Sequence, residues 1–130
     1  MKKHIKRMAA PKSWAVPRKT SHWVSKPSPG PHALAESMPL LSVVRDMLKL
    51  CDNSREARFI IGGRNVAVDG RIVTDYKFPI GLMDVVTVLK TKQSYRMLMD
   101  YKARFQVVAI DDSEKGWKLS RIDGKTVVKK

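Results

Sequence analysis

The chain has 130 residues, with 26 Lys and Arg against 12 Asp and Glu, a formal net charge of +14. That length suits one ordinary domain or two very small ones, and that charge points to a polyanion, either nucleic acid or an anionic membrane face. No apolar run reaches the ~18 residues a membrane helix needs, a single cysteine, Cys51, excludes an internal disulfide, and the basic start lacks the apolar run of a secretory signal, so a reducing cytoplasmic setting is expected.

Residues 1–37 carry eight Lys/Arg and one acid, and they hold five of the prolines and all three histidines. The segment shows no helical or strand period and has few aliphatic residues. It is expected to be a basic, extended arm that orders on a partner, because alone it buries too little apolar surface to offset its ordering entropy. "KPSPGPH" (26–32) is expected to be extended or turned. Trp14 and Trp23 lie among the lysines and prolines of this arm, where they suit stacking on bases or packing back onto the domain.

"PLLSVVRDMLKLC" (39–51) reads as a helix. At about 100° per residue, Leu40, Leu41, Val43, Val44, Met47, Leu48, Leu50 and Cys51 share one half of the wheel. A second helix, "SREARFII" (54–61), starts with Asn53 as N-cap and Glu56 in a capping-box position. It stops at Gly62-Gly63, where a left-handed glycine is expected. "NVAV" and "RIVT" flank Asp69-Gly70, a hairpin signal. "FPIGLMD" (78–84) reads as a turn, and 84–90, 94–100, 104–110 and 117–122 as strands, with Asp123-Gly124 leading into another at "KTVV". The fold class is therefore α+β. A basic arm (1–37) precedes a small domain of two helices and a short antiparallel sheet (38–91), and an incomplete all-β unit (92–130) follows.

On the second helix Ala57, Ile60 and Ile61 share one face, and Arg55, Arg58 and Phe59 the opposite one. Arg64 follows the glycine pair. The three arginines gather on one rim, where planar guanidinium groups suit phosphate and the helix start adds a positive dipole end. Two arginines three apart are more often a plain solvated face. The overall charge and the arm beside the domain favour nucleic acid.

Nothing points to chemistry. The histidines are not at zinc-ligand spacing, Gly62-Gly63 lacks the Gly-Lys-[Ser/Thr] of a phosphate loop, and "DDSEKG" (111–116) is a solvated turn. Cys51 reads as packing. No catalytic residue, metal or cofactor is expected, nor a small-molecule substrate.

The stretch "SREARFIIGGRNVAVDGRIVTDYKFPIGLMDVV" (54–86) resembles the alpha-L RNA-binding domain of ribosomal proteins and RNA-modifying enzymes. It shares the SREA helix start, the glycine after the helix, V-x-V-D-G-R, T-D and G-x-x-D-V. With "KKHIKRMAAPKSW", "KPSPGPHALAESMPLL" and "YKARFQVVAI", the whole chain resembles the archaeal and eukaryotic small-subunit ribosomal protein "four-e" family. The resemblance implies a non-enzymatic constituent of the cytoplasmic small ribosomal subunit, with ribosomal RNA and neighbouring ribosomal proteins as partners. It implies RNA contact by Ser54, Arg55, Arg58, Arg64 and Asn65, by Lys77 after "TD", and by the arm, where the candidates are Lys2, Lys3, Lys6, Arg7, Lys12, Trp14, Arg18 and Lys19. It also implies further β structure beyond residue 130 in other members. Three other readings compete. A free-standing RNA-binding factor would use the same domain. An alpha-L domain appended to an RNA-modifying enzyme would need a catalytic domain. A membrane-surface binder would need a long basic amphipathic helix, which the prolines forbid.

Overall fold

The computed structural model describes residues 4–129. The basic arm is folded. Strands β1 (His4–Lys6) and β2 (Trp23–Ser25) pair antiparallel, with Ile5 opposite Val24 and Lys6 opposite Trp23. A 3-10 turn, Arg7–Ala9, follows β1. Ala10, Trp14, Val16 and Val24 are buried in the same core as the helices and sheet. The Trp14 indole donates its N–H to the Ser37 carbonyl at 2.6 Å, and the Phe105 amide donates to the Ser13 carbonyl at 2.8 Å. The expectation of an arm without structure fails for a physical reason. The arm has no core of its own but contributes to a shared one, and burial in that core offsets the entropy.

Strand β3 (Ser37–Pro39) leads into helix α1 (Leu40–Ser42), which runs directly into a π-helical turn (Val43–Met47). The helix predicted over 39–51 is thus cut short. The Leu48 amide reaches back to the Val43 carbonyl at 2.9 Å, a π-type bond, and Lys49 adopts a left-handed φ of 52°. Leu40, Leu41, Val43 and Val44 are buried as the wheel predicts, while Leu50 is exposed and Cys51 only half-buried.

Helix α2 (Ser54–Gly62) packs Ala57 and Ile61 into the core. Strands β4 (Val66–Val68) and β5 (Arg71–Ile72) form the predicted hairpin, turning on Asp69 and Gly70 at φ of 48° and 79°, the two positive angles a type I′ turn requires. The stretch read as a turn at 78–84 holds strand β6 (Pro79–Gly81), paired with β3, and the turn falls only at 82–84. Strands β7 (Val85–Val88), β8 (Gln93–Met99) and β9 (Phe105–Ile110) complete an antiparallel sheet ordered β5-β4-β7-β8-β9. One sheet therefore runs through both the 38–91 and the 92–130 segments. Among the described residues no strand follows Ile110. The predicted strands at 117–122 and in "KTVV" have no regular secondary structure, and Leu119, Ile122, Val127 and Val128 are exposed. Strand propensity expresses packing against neighbouring strands, and among the described residues these pair with none.

Candidate nucleic-acid interface

Helix α2 begins as the sequence predicts. Asn53 Oδ1 accepts from the Glu56 amide at 2.9 Å, and the Glu56 carboxylate accepts from the Asp52 amide at 3.1 Å and the Asn53 side chain at 2.9 Å. This reciprocal cap occupies donors at the helix start and sets an acidic side chain there. The helix start is therefore not the open positive end expected for phosphate.

The cationic face lies along the side of the helix. Arg55, Arg58 and Phe59 are exposed, Phe59 to 83%, while Ala57 and Ile61 are fully buried on the other side. Arg55 and Phe59 rim a shallow apolar hollow of about 390 Å³ with Leu50, Cys51 and Ile60. Burial there raises the Cys51 thiol above its ordinary pKa, so it is a poor nucleophile. The Arg58 guanidinium lies 4.5 Å from the centroid of the Tyr76 ring, and Lys77 Nζ lies 5.6 Å from the same ring. Tyr76 thus draws two cations from different elements to one spot and holds them by cation–π attraction. Sequence reasoning missed Tyr76; its signal was an aromatic beside a lysine in the loop "TDYKF". The loop is held against α1, whose Leu40 and Leu41 amides donate to the Phe78 and Tyr76 carbonyls at 2.9 Å.

At the helix exit the left-handed residue is Arg64 at φ 58°, while Gly63 has φ −74°. The predicted glycine role falls one residue later, on an exposed arginine. Asn65 closes the helix by donating its side-chain amide to the Ile60 carbonyl at 3.0 Å. Ser54 is tied inward as well, accepting from Arg45 Nη1 at 2.6 Å. Arg45 also grips Asp46 through two bonds of 2.8 and 2.9 Å, and this pairing raises its pKa.

The arm divides sharply. Lys6, Lys12 and Lys19 are exposed, while Lys2 and Lys3 lie outside the described residues. Trp14 is 2% exposed, so the structure removes it from any stacking surface. Arg7 is buried and donates to the Pro17 carbonyl at 2.8 Å and Thr20 Oγ1 at 3.3 Å. Arg18 donates to the Ala10 carbonyl at 2.8 Å and the Pro11 carbonyl at 2.9 Å. These two arginines serve the chain's own backbone, because a proline-rich segment leaves carbonyls without ladder partners.

Away from this face, buried Asp84 ties three segments together. Its Oδ2 accepts from the Gly81 amide at 3.0 Å and lies 2.8 Å from His32 Nε2, and its Oδ1 lies 3.2 Å from Lys118 Nζ. The His32 ring lies so close to Gly81 that a Cβ there would sit 2.5 Å from it. Lys118 also reaches Asp69 at 2.7 Å. Burial alone would raise the Asp69 carboxyl, but Lys118 and the Val85 amide outweigh it and hold the carboxyl below its ordinary range. The Lys118 ammonium is raised, chiefly by Asp69. Arg96, buried beneath the same tail, donates to the Glu114 and Trp117 carbonyls at 2.6 and 2.7 Å. Among the described residues no group of His, Cys, Asp and Glu has the arrangement of a metal site, and no helix is long and apolar enough to cross a membrane.

Three family models match in succession: the RS4NT (NUC023) domain over residues 1–35, the S4 domain over 38–86, and the ribosomal family S4e over 91–130. Archaeal proteins named small ribosomal subunit protein eS4 are similar along nearly the whole chain. The one from Archaeoglobus fulgidus is 51% identical over 126 residues, covering 97% of this chain and 52% of the relative. The one from Methanothermobacter thermautotrophicus is 48% identical over 128 residues, covering 98% and 53%. The chain spans about half the length of these relatives. The crystal structure of the 30S ribosomal protein S4e from Thermoplasma acidophilum is similar with a TM-score of 0.53 and 35% identity, covering 62% of this chain and 41% of that one.

Proposed function

The chain belongs to the eS4 family of small-subunit ribosomal proteins, a family of ribosomal constituents and not of enzymes, and from that premise we propose that it binds small-subunit ribosomal RNA through the outward face of α2. Arg55, Arg58 and Arg64 meet phosphate and displace its counterions, and the folded surface selects an RNA shape. Lys77, fixed beside Arg58 by Tyr76, extends the cationic surface. Ser54 and Asn65 shape the two helix ends, and exposed Lys6, Lys12 and Lys19 add phosphate contacts from the arm. Residues 1–37, 38–91 and 92–130 act as successive segments of this binding unit, with neighbouring ribosomal proteins as further partners on the cytoplasmic ribosome.

The observation that carries this reading is the exposure of Arg55, Arg58 and Phe59 on the one side of α2 that the core leaves bare. The test is the double charge reversal Arg55→Glu with Arg58→Glu. Binding to a transcript of small-subunit ribosomal RNA is expected to weaken by well over about tenfold, since two favourable phosphate contacts become repulsive, while circular dichroism stays that of the parent. Unchanged affinity in a folded variant refutes the reading.

A further inference from the structure

Resting on that RNA-binding reading, we propose that the outer face of the β1–β2 hairpin is a second site, which stacks one unpaired nucleobase on Trp23. The alternation of the hairpin makes the face. Ile5 and Val24 point to the core, and their neighbours His4, Lys6 and Trp23 point out. An indole on an outer face serves no packing need of the core, which Val24 already meets on the inner side. Trp23 stays 49% exposed.

The indole is also held ready. The His4 ring lies 4.7 Å from it at an interplanar angle of 71°, and the His22 ring 4.6 Å away at 81°. Two edge-type contacts restrict its rotamers and lower the entropy lost when a ligand settles on it. The backbone beneath is pinned as well. Arg7 Nε donates to the Trp23 carbonyl at 3.4 Å while its Nη1 holds Pro17 at 2.8 Å, and Ser21 Oγ donates to the same Trp23 carbonyl at 3.3 Å. Arg7 thus supports the platform from inside the fold.

Charge selects the occupant. Lys6 is exposed and sits directly across the strand pair from Trp23, and Lys12 and Lys19 of the same segment are exposed as well. An exposed aromatic ring with a lysine directly across from it matches a base with its phosphate, the pattern used for single-stranded nucleic acid. The centre of a protein interface is depleted in lysine, whereas here Lys6 faces the ring across the strand pair. The ligand is therefore an unpaired nucleotide of RNA, read by stacking and so tolerant of sequence.

The test uses the full chain and a single-stranded oligouridylate, with a duplex of equal length as the comparison. The single strand is expected to quench tryptophan emission and the duplex not to. Trp23→Leu is expected to abolish the quench and weaken binding by about fivefold or more, whereas Trp23→Phe, which keeps a ring, stays within about twofold of the parent. Photocrosslinking of a 4-thiouridine oligonucleotide to the unaltered protein is expected to map to the peptide containing Trp23. Full binding by Trp23→Leu, or crosslinks confined to the rest of the chain, overturns the inference. If ribosomal RNA still binds and still depends on Arg55 and Arg58, only the hairpin site falls. If the parent chain binds no RNA at all, the function proposed above falls with it.

Discussion

The arm and helix α2 carry two arginines each, yet they direct them oppositely. Arg7 and Arg18 turn inward and donate to backbone carbonyls of their own segment. Arg55 and Arg58 turn outward, and Arg58 leans only on the face of an aromatic ring. The cause lies in the backbone. A helix satisfies its own carbonyls, so its cations remain available to a ligand. A proline-broken segment leaves carbonyls unpaired at low exposure, and the nearest multidentate donor is recruited to them. Charge density alone therefore does not identify a nucleic-acid contact; the hydrogen-bonding state of the surrounding backbone decides whether the charge is spare.

The harshest way to break this contrast is to detach the arm from the core. Trp14→Ala is expected to lower stability by about 3–5 kcal/mol, read as a shift in the urea midpoint; a loss below about 1 kcal/mol would mean the arm is held elsewhere. A sharper contrast comes from two matched substitutions. Arg7→Met leaves several carbonyls unpaired and is expected to lower stability by about 1–3 kcal/mol, whereas Arg55→Met stays within about 0.5 kcal/mol of the parent and changes only RNA affinity. Equal stabilities for the two variants contradict the division between inward and outward arginines. The smallest effect concerns the tail, where Lys118 pairs with Asp69 and Asp84, and Asp84 faces His32. The Asp69 carboxyl titrates below its ordinary value of about 4. Its contribution is present above that pH and is lost as pH falls through the lower folded value. Lys118 is raised, so its contribution is complete below about 10.4 and fades above it. Limited proteolysis within 114–118 is thus expected to quicken below about pH 4 and again at strongly alkaline pH. A flat rate across the range would show that this clasp does not hold the tail.

What the sequence makes legible here is local chemistry. The Asn53–Glu56 cap and the Asp69-Gly70 turn each depend on residues within a few positions of one another, and both stand as expected. Features set by distant partners were hidden. Pro79 and Gly81 look like turn residues until β6 is seen paired with Ser37–Pro39, a partner some forty residues away. The helix over 39–51 has the right apolar face, but the π turn that shortens it leaves no mark on that pattern. The tail alternates like a strand yet pairs with no strand among the described residues. At the interface, the arginines of α2 were readable because a helical wheel fixes which way they point. Tyr76 was not, since its role comes from Arg58 reaching it across a gap of eighteen positions. The inward turn of Arg7 and Arg18 was hidden because it needs the path of the whole arm.

The bond from the Phe105 amide to the Ser13 carbonyl carries a consequence for how this chain is made. Translation delivers residue 13 long before residue 105, so the Ser13 segment cannot lock onto β9 until that strand has been synthesised. Throughout that interval this cationic segment hangs, without its bond to β9, from the exit of the machine that is building it. A long delay of this kind is where chaperones and stray nucleic acid compete for a nascent chain.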